Sequence, residues 1–243
     1  KILMIKLKIL AKLTVRKYQP RIIGITGSVG KTSAKEAIYS VLANHFRVRR
    51  NVKNYNNEIG VPLTVLGFTD SPGKNILKWF WYFLIATKNL IIKNKKYPEI
   101  LILEMGADKP GDISYLTNIA KPNIAMITAI GHSHIEAFGS IKNILNEKSK
   151  ILDKLDKNDW AVLNFDDPFV KAMAEKTEAK VLFYGLDPKA DLWADEIQGK
   201  GLKGIRFKMH YQNNSAILDV PILGRHSVQT ILSLKTQIFS SFS

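Results

Sequence analysis

A glycine-rich loop joins an apolar run to a helical pattern near the start of the chain. The run is Arg21–Thr26, the loop reads GSVGKT over residues 27–32, and the helical pattern covers residues 32–44. Glycines let backbone N–H groups face a phosphate, and the amino terminus of a helix adds a favourable dipole. Lys31 would reach the terminal phosphates of a nucleotide, and the Thr32 hydroxyl would ligate Mg²⁺. The loop therefore predicts nucleotide binding, with an ordinary glycine turn as the alternative. Ile25 stands where the strict P-loop pattern has its first glycine.

Apolar runs alternate with helical patterns through most of the chain. Strands are predicted at Ile100–Glu104, 123–129 and Trp160–Asn164, and helices at 112–120 and 140–155. Continuous apolar strands separated by helices are typical of a parallel sheet covered on both faces. After residue 181 the runs become shorter and alternate in polarity, at 192–197, 204–211 and 216–220. The predicted fold is α/β, a mostly parallel sheet flanked by helices, with a P-loop and a small antiparallel extension near the C-terminus.

Two apolar segments are predicted as helices rather than membrane spans. Residues 1–20 mix aliphatic side chains with lysines and read as a basic amphipathic helix or linker that ends at Pro20. Lysines interrupt every apolar run there, which excludes a signal peptide and a membrane span. Such a helix could lie on a membrane surface or pack on a neighbouring domain. Residues 79–92 are too few to cross a bilayer and predict a helix with a wide buried face, with interfacial contact as the alternative.

The composition excludes several classes of protein. The 243 residues include no Cys, so neither a disulfide framework nor a thiolate zinc site is possible, and a cytoplasmic setting is allowed. Lys and Arg number 36 against 21 Asp and Glu, a net charge of +15. This excess attracts polyanions. Because it is spread along the chain without an aromatic–basic motif, it favours a solvated cationic surface over nucleic-acid binding.

A carboxylate and two histidines follow predicted strands on the side where the loop lies. Glu104 ends its strand, and the carboxyl ends of parallel strands face one crevice. Glu104 could hold Mg²⁺ directly or through water, with a plain strand-ending residue as the alternative. His132 and His134 follow a strand that ends near Ile130, beside Glu136. The pair modestly favours a site over a structural role.

Four blocks, in order along the chain, resemble the central ATP-binding domain of the Mur ligases. They are GITGSVGKTSAKE at 24–36, NYNNEIGVPLT at 54–64, LEMGA at 103–107 with GDI at 111–113, and IGHSHIEAFGS at 130–140. Weaker similarity at 162–167 and 223–226 extends the resemblance to about residues 22–231. It is strongest to the members that add D-alanyl-D-alanine to a UDP-muramoyl-tripeptide. Other Mur-type ligases, such as folylpolyglutamate or cyanophycin synthetases, and a non-catalytic ATP-binding module remain as alternatives.

The resemblance implies a role for each matching position. The implied catalytic residues are Lys31, Glu104, His134 and Lys148, of which Lys148 matches a lysine that is carbamylated in several Mur ligases. Its added carboxylate would help to organise a second Mg²⁺; a plain surface lysine is the competing interpretation. The implied metal ligands are Thr32, Glu104, His134 and carbamylated Lys148, and Asn56 and Asn57 would lie near the muramoyl-peptide. The implied ATP-binding residues are Thr26, Gly27, Ser28, Val29, Gly30, Lys31, Thr32, Ser33 and Asn164.

The implied reaction is ATP- and Mg²⁺-dependent amide bond formation through an acyl phosphate, in peptidoglycan precursor synthesis. The partners would be the UDP-muramoyl-peptide and D-alanyl-D-alanine, with a monomer acting in the cytoplasm. We expect residues 1–20 to form the helix or linker and residues 21–243 to form the central ATPase domain. The N-terminal UDP-binding domain and the C-terminal domain of these ligases have no counterpart in the sequence, so we expect weak or no activity from this chain alone.

Overall fold

A single twisted sheet organises the chain, for which the computed structural model describes residues 2–52, 55–131, 133, 135–220, 228 and 232. Its strands within these residues are β1 (Arg21–Thr26), β2 (Val48–Arg50), β3 (Ile100–Glu104), β4 (Ile124–Ile127), β5 (Trp160–Asn164), β6 (Lys180–Gly185), β7 (Leu192–Gly199), β8 (Ile205–Tyr211) and β9 (Asn214–Val220). Their order across the sheet is β2-β3-β1-β4-β5-β6-β7-β8-β9. Neighbours from β2 to β7 pair in parallel, whereas β7, β8 and β9 pair antiparallel. The predicted fold class is confirmed.

Helices cover the parallel part of this sheet. They are α1 (Ile2–Tyr18), α2 (Lys31–Leu42), α3 (Gly60–Leu66), α4 (Ile76–Ile91), α5 (Asp112–Ile119), α6 (Ile135–Phe138), α7 (Ile141–Ser149) and α8 (Pro168–Lys171). The single helix predicted over 140–155 is wrong in its second half, because the chain tightens after Ser149 into a 3₁₀ turn at Leu152–Lys154. The sequence pattern predicts no element at β2, β6, α3, α6 or α8.

Two apolar layers lie on opposite faces of the sheet, and the alternation of side chains along each strand separates them. In β3, Leu101 and Leu103 join the layer of α1, α3 and α5, while Ile100 and Ile102 join the layer of α2. All five residues of β3 are buried. A strand covered on both faces reads as an uninterrupted apolar run, which is why its position was predictable.

Helix α4 buries much less of its surface than the sequence predicts. Among its residues only Trp79, Tyr82 and Ala86 are buried, so the expected wide buried face is wrong. The helix lies at the edge of its layer, packed on α1 and on Phe68, whose ring stacks on Tyr82 with centroids 3.7 Å apart. Because it does not lie between two layers, most of its aromatic and aliphatic surface remains exposed.

The sheet order places the glycine loop at a point where ligands commonly bind. β1 lies between β3 and β4, and the chain crosses from one side of β1 to the other between those two strands. At such a reversal of strand order, a crevice opens beyond the carboxyl ends of the strands. The loop that follows β1 therefore borders this crevice together with the residues that end β3 and β4.

Candidate functional site

The loop after β1 has a backbone shape that requires glycine. Gly27 has φ +145° and Gly30, at the start of α2, has φ +87°. A Cβ atom added to Gly27 would lie 2.0 Å from the Thr128 hydroxyl oxygen and 3.2 Å from the backbone of Ala129. The loop thus runs close against the end of β4, a close approach that only glycine permits.

Hydrogen bonds fasten the loop to the residues that follow β4. The Ser28 N–H donates to the Ala129 carbonyl at 2.6 Å, and the Thr128 hydroxyl donates to the Val29 carbonyl at 2.6 Å. The Ser28 hydroxyl donates to the Gly131 carbonyl at 3.1 Å. The loop is held in one shape before any ligand arrives, so little conformational entropy is lost on binding.

Thr26 and Asn164 stabilise the strand ends that carry the loop. The Thr26 hydroxyl is buried and donates to the Met105 carbonyl at 2.9 Å, which ties β1 to the end of β3. Asn164, at the end of β5, donates to the Thr128 carbonyl at 2.9 Å and accepts a bond from the Asp166 N–H. Ser33 is exposed in the first turn of α2. The side chains of Thr26 and Asn164 therefore position the loop from beneath.

The Lys31 side chain folds back across the loop. Its ammonium group donates to the carbonyls of Gly27 at 2.8 Å and Ser28 at 3.4 Å. Burial lowers the pKa of Lys31, and the carboxylates of Glu104 and Asp108 oppose that shift. A lysine ammonium over a glycine-rich turn at the start of a helix is an arrangement suited to a phosphate chain.

Glu104 is the centre of the polar network beside the loop. Its Oε2 accepts a hydrogen bond from the Thr32 hydroxyl at 2.9 Å, and its Oε1 accepts one from Asn56 Nδ2 at 2.9 Å. Lys35 Nζ lies 3.4 Å from Oε2. Glu104 is 3% exposed, and these three partners compensate the carboxylate for the water that it loses on burial. Sequence reasoning identified Glu104, Thr32 and Asn56, and the structure brings them together.

Two residues of this network were missed by sequence reasoning. Lys35 is 1% exposed although it is a lysine, and its position one helical turn after Lys31 is the signal that could have identified it. Asn51 is fully buried; its side chain donates to the carbonyls of Glu104 and Tyr55 at 2.8 Å and accepts from the Glu104 N–H at 2.9 Å. Asn51 thus fixes the end of β3 against the loop that carries Asn56.

Asn56 and Asn57 are neighbours in sequence, but their side chains have different hydrogen-bond partners. Asn56 contacts Glu104, and a Cβ at Gly106 would lie 2.9 Å from its side chain, so it is closely packed. Asn57 accepts hydrogen bonds from the N–H groups of Ile59 at 3.2 Å and Gly60 at 2.9 Å, at the start of α3. Its side-chain oxygen therefore stabilises the amino terminus of a helix.

Lys148 is a buried lysine on α7. It is 3% exposed, which overturns its interpretation as a plain surface lysine. Burial, followed by repulsion from Lys31, lowers the pKa of Lys148 to about 8, against the attraction of Glu147 and Asp108. The neighbouring Glu147 has its own partners, the N–H groups of Gly111 and Ile113 at 2.9 Å and the Lys150 ammonium at 2.6 Å. Burial and the repulsion between the Lys148 and Lys31 ammonium groups therefore destabilise the folded chain.

The family is decided by comparison with known proteins. Residues 25–77 and 84–233 match the Mur ligase middle domain. The chain belongs to the Mur ligase family. A UDP-N-acetylmuramoyl-tripeptide–D-alanyl-D-alanine ligase of Buchnera aphidicola subsp. Baizongia pistaciae is 34% identical over 88% of the chain and 41% of the relative. A ligase of the same name from Bacillus subtilis is 30% identical over 92% of the chain and 42% of the relative. The chain thus spans about two fifths of the length of these relatives.

Solved structures of Mur ligases share the fold. The MurF ligase from Thermotoga maritima in complex with ADP is 25% identical, with a TM-score of 0.78 over 99% of this chain and 50% of that one. MurF from Acinetobacter baumannii, 24% identical, superposes with a TM-score of 0.79 over 98% of this chain and 46% of that one. The described elements of this Mur ligase chain therefore adopt the arrangement seen in experimental structures of relatives.

Several predicted residues lie outside the described part of this Mur ligase chain. These are His132 and His134, and the block at 223–226. Among the described residues, no three His, Asp or Glu side chains come together as a ready-made metal site. The oxygen donors brought together beside the loop are the Thr32 hydroxyl and the Glu104 carboxylate, 2.9 Å apart.

Replacing Lys148 by Met should stabilise the ligand-free chain. The buried ammonium is disfavoured by desolvation and by Lys31, so we expect Lys148→Met to raise the free energy of unfolding by about 1–2 kcal/mol at pH 7. Because the folded-state pKa of about 8 lies below the unfolded value of 10.5, the unfolded chain binds the extra proton between these values. Wild-type stability should therefore rise with pH across that window, and the advantage of the variant should shrink. Urea unfolding of both proteins at several pH values measures this.

The matched control is Lys142→Met, an exposed position on the same helix. Its stability should differ from wild type by less than about 0.5 kcal/mol. Equal stability of Lys148→Met and wild type at pH 7 would show that the Lys148 ammonium is not destabilised by its site.

Proposed function

We propose that the chain is the ATP-binding core of a ligase that joins D-alanyl-D-alanine to a UDP-muramoyl-tripeptide at the expense of ATP. The observation that carries this proposal is the contact of Glu104 with both Thr32 and Asn56. One carboxylate joins the nucleotide loop to the block that is expected to lie near the muramoyl-peptide. The names of the Buchnera and Bacillus relatives support the same choice of substrates.

The donors beside the loop suit Mg²⁺. Magnesium prefers oxygen ligands, keeps several waters, and is commonly held by one or two carboxylates together with substrate phosphates. Thr32 and Glu104 would hold it, with His134 as a further expected ligand. When bound, the ion would neutralise charge that develops on the transferred phosphoryl group.

The residues of the chain would act by binding and orientation. An oxygen of the peptide carboxylate attacks the γ-phosphorus of ATP, and the bond to the bridging oxygen breaks with its electron pair leaving on ADP. Lys31 would exchange its bonds to the Gly27 and Ser28 carbonyls for phosphate oxygens. The amine nitrogen of D-alanyl-D-alanine then attacks the acyl carbon, loses a proton, and releases phosphate. Asn56 and Lys35 would hold the Glu104 carboxylate in one orientation throughout.

Carbamylation would remove the positive charge of Lys148, which its buried position beside Lys31 disfavours. The neutral amine nitrogen attacks CO₂ and loses a proton, so that a buried cation beside Lys31 becomes an anion. Repulsion would turn into attraction, and the carbamate oxygens would suit a second Mg²⁺. Carbon NMR of protein equilibrated with ¹³C-labelled bicarbonate tests this, since Lys148→Met should remove the carbamate resonance and Lys142→Met should retain it.

The expected setting follows from the substrates. ATP and a nucleotide-linked precursor are cytoplasmic compounds, and we propose a cytoplasmic enzyme that acts as a monomer without nucleic acid.

Substrate-dependent phosphate release tests the activity. The natural protein that contains this chain should release phosphate from Mg·ATP when both the UDP-muramoyl-tripeptide and D-alanyl-D-alanine are present, with the ligated product visible by mass spectrometry. Release with an amino-acid or folate substrate instead would indicate another Mur-type ligase. Nucleotide binding without release under any combination would indicate a non-catalytic module.

Glu104→Gln should remove this activity while the fold survives. We expect about 100-fold slower phosphate release, because the neutral amide loses its charge toward Mg²⁺ and toward Lys35. The control is Glu99→Gln. Glu99 immediately precedes β3, at the end of the strand remote from Glu104, and forms an exposed ion pair with Arg47. Circular dichroism checks the fold of both variants. Equal rates for Glu104→Gln and wild type would remove Glu104 from the mechanism.

A further inference from the structure

Helices α1 and α4 form one side of the molecule and pack against each other. Lys17 Nζ donates to the carbonyls of Asn89 at 3.0 Å and Leu90 at 2.9 Å, and the Tyr18 hydroxyl donates to the Asn89 carbonyl at 2.7 Å. Helix α1 also packs on α3 and α5. The two helices therefore belong to one layer, and the surface opposite their buried residues faces away from the sheet.

Helix α1 presents an apolar and basic stripe on this outer surface. Its inward side chains are Leu7, Ala11 and Thr14. Ile2, Ile5, Ile9 and Leu13 repeat at helical spacing on the outer side and are 44–72% exposed. Lys6, Lys12 and Arg16 are exposed on the same stripe. Aliphatic side chains thus alternate with cations along the outer side of α1.

Helix α4 continues this surface with larger apolar side chains. Its inward residues are Trp79, Tyr82 and Ala86, whereas Leu77, Phe80, Trp81, Leu84 and Ile91 follow one another at helical spacing on the outside. Leu77 is 80% exposed and Trp81 is 61% exposed. We call the two outer stripes together the α1–α4 face. An exposed apolar surface of this extent marks a site of interaction.

Charge indicates what covers the α1–α4 face. Residues 1–35 and 71–98, which include both helices, contain none of the 21 Asp and Glu of the chain. Lys74, Lys88 and Lys93 are exposed around α4. The acidic Asp70 beside α4 is paired with Lys78 and Tyr82. The partner should therefore be anionic as well as apolar.

The mixture of residues favours a lipid surface over a protein partner. The cores of protein interfaces are depleted of lysine, whereas helices that lie in a membrane interface combine Trp, Phe and Leu with Lys and Arg. Over the part of the chain that is described, no helix is long and apolar enough to pass through a bilayer. We propose that the α1–α4 face lies on the surface of an anionic bilayer, with Phe80 and Trp81 inserted at the level of the headgroups.

Vesicle sedimentation tests the proposal and does not depend on ligase activity. The chain should sediment with vesicles of phosphatidylcholine containing about one third phosphatidylglycerol, but not with phosphatidylcholine alone. Binding should fall steeply as NaCl rises to about 0.5 M. Brominated lipid should quench the tryptophan fluorescence, and Trp81→Phe should lose most of this quenching. Failure to bind anionic vesicles would overturn the proposal.

Charge-matched variants separate the face from the net charge of the chain. Lys6→Glu with Lys12→Glu should weaken vesicle binding roughly 30-fold or more. Lys189→Glu with Lys203→Glu changes the net charge equally at exposed positions near the antiparallel end of the sheet and should bind almost as well as wild type. Equal losses in the two double variants would show attraction by overall charge alone and would reject the face.

Two further measurements identify other occupants. A concentration-dependent dimer in analytical ultracentrifugation, lost in Trp81→Ser and without vesicle binding, would show that a second copy covers the face. Vesicle binding by this chain but not by the natural protein that contains it would show that another part of that protein covers the face. Either result would overturn the membrane assignment.

Discussion

Lys31→Ala is expected to weaken Mg·ATP binding at least about 100-fold, which corresponds to the loss of one or two charge-assisted hydrogen bonds. In the ligand-free chain Lys31 is bonded to carbonyls of its own loop, so its ammonium group is the cation placed directly over the turn. Backbone N–H groups of the loop remain in the variant but carry no net charge. Calorimetric titration of Mg·ATP into both proteins measures the difference.

The control for this variant is Lys154→Ala, an exposed lysine just before the loop that leads to β5. Lys154→Ala lowers the net charge by the same amount as Lys31→Ala. Any loss of Mg·ATP affinity that both variants show therefore comes from the change in the net charge of the chain. Circular dichroism should show that Lys31→Ala keeps its fold, because the side chain bonds only to adjacent carbonyls. Unchanged affinity in Lys31→Ala would remove the loop from nucleotide binding.

The parts of the fold that sequence predicts are those with a strong local pattern. β1, β3 and β5 are uninterrupted apolar runs because helices cover both of their faces. β2 has three residues, two of them arginines, and is a strand because Glu99 and β3 lie beside it. The prediction of a wide buried face for α4 is wrong for a related reason. Hydrophobicity shows that a side chain can be buried, but the position of a helix at the edge of a layer decides whether it is.

The same distinction applies to the site. Gly27, Lys31 and Thr32 are identifiable because a glycine-rich loop between a strand and a helix is a local motif, and Glu104 is identifiable because it ends an apolar strand. Asn51 is not, since its role consists of bonds to Glu104 that span 53 positions of sequence. The burial of Lys148 is equally hidden from the sequence, because it results from the packing of α7 against α5 and α6. Tertiary contacts, rather than motifs, bury this lysine and this asparagine in the region of the candidate site.

The second large effect is expected from Gly27→Ala, which should lower the free energy of unfolding by about 2–4 kcal/mol and abolish nucleotide binding. Two costs add. The backbone at φ +145° is strained for any residue with a side chain, and the new methyl group would lie 2.0 Å from the Thr128 hydroxyl oxygen. Thr128 would have to move and give up its 2.6 Å bond to the Val29 carbonyl, which holds the loop closed. Urea unfolding and Mg·ATP titration measure the two consequences.

Two further variants separate these costs. Gly139→Ala also places alanine at a positive φ, +73°, but no atom lies within 4 Å of the new methyl group, so it should show a backbone cost without a steric one. Adding Thr128→Ala to Gly27→Ala removes the oxygen that the methyl group meets. Stability should then recover in part, with a cost below the sum of the two single variants. Nucleotide binding should stay weak, because the bond that fastened Val29 is gone. A Gly27→Ala protein as stable and as tightly binding as wild type would mean that the loop does not run against β4 in this way.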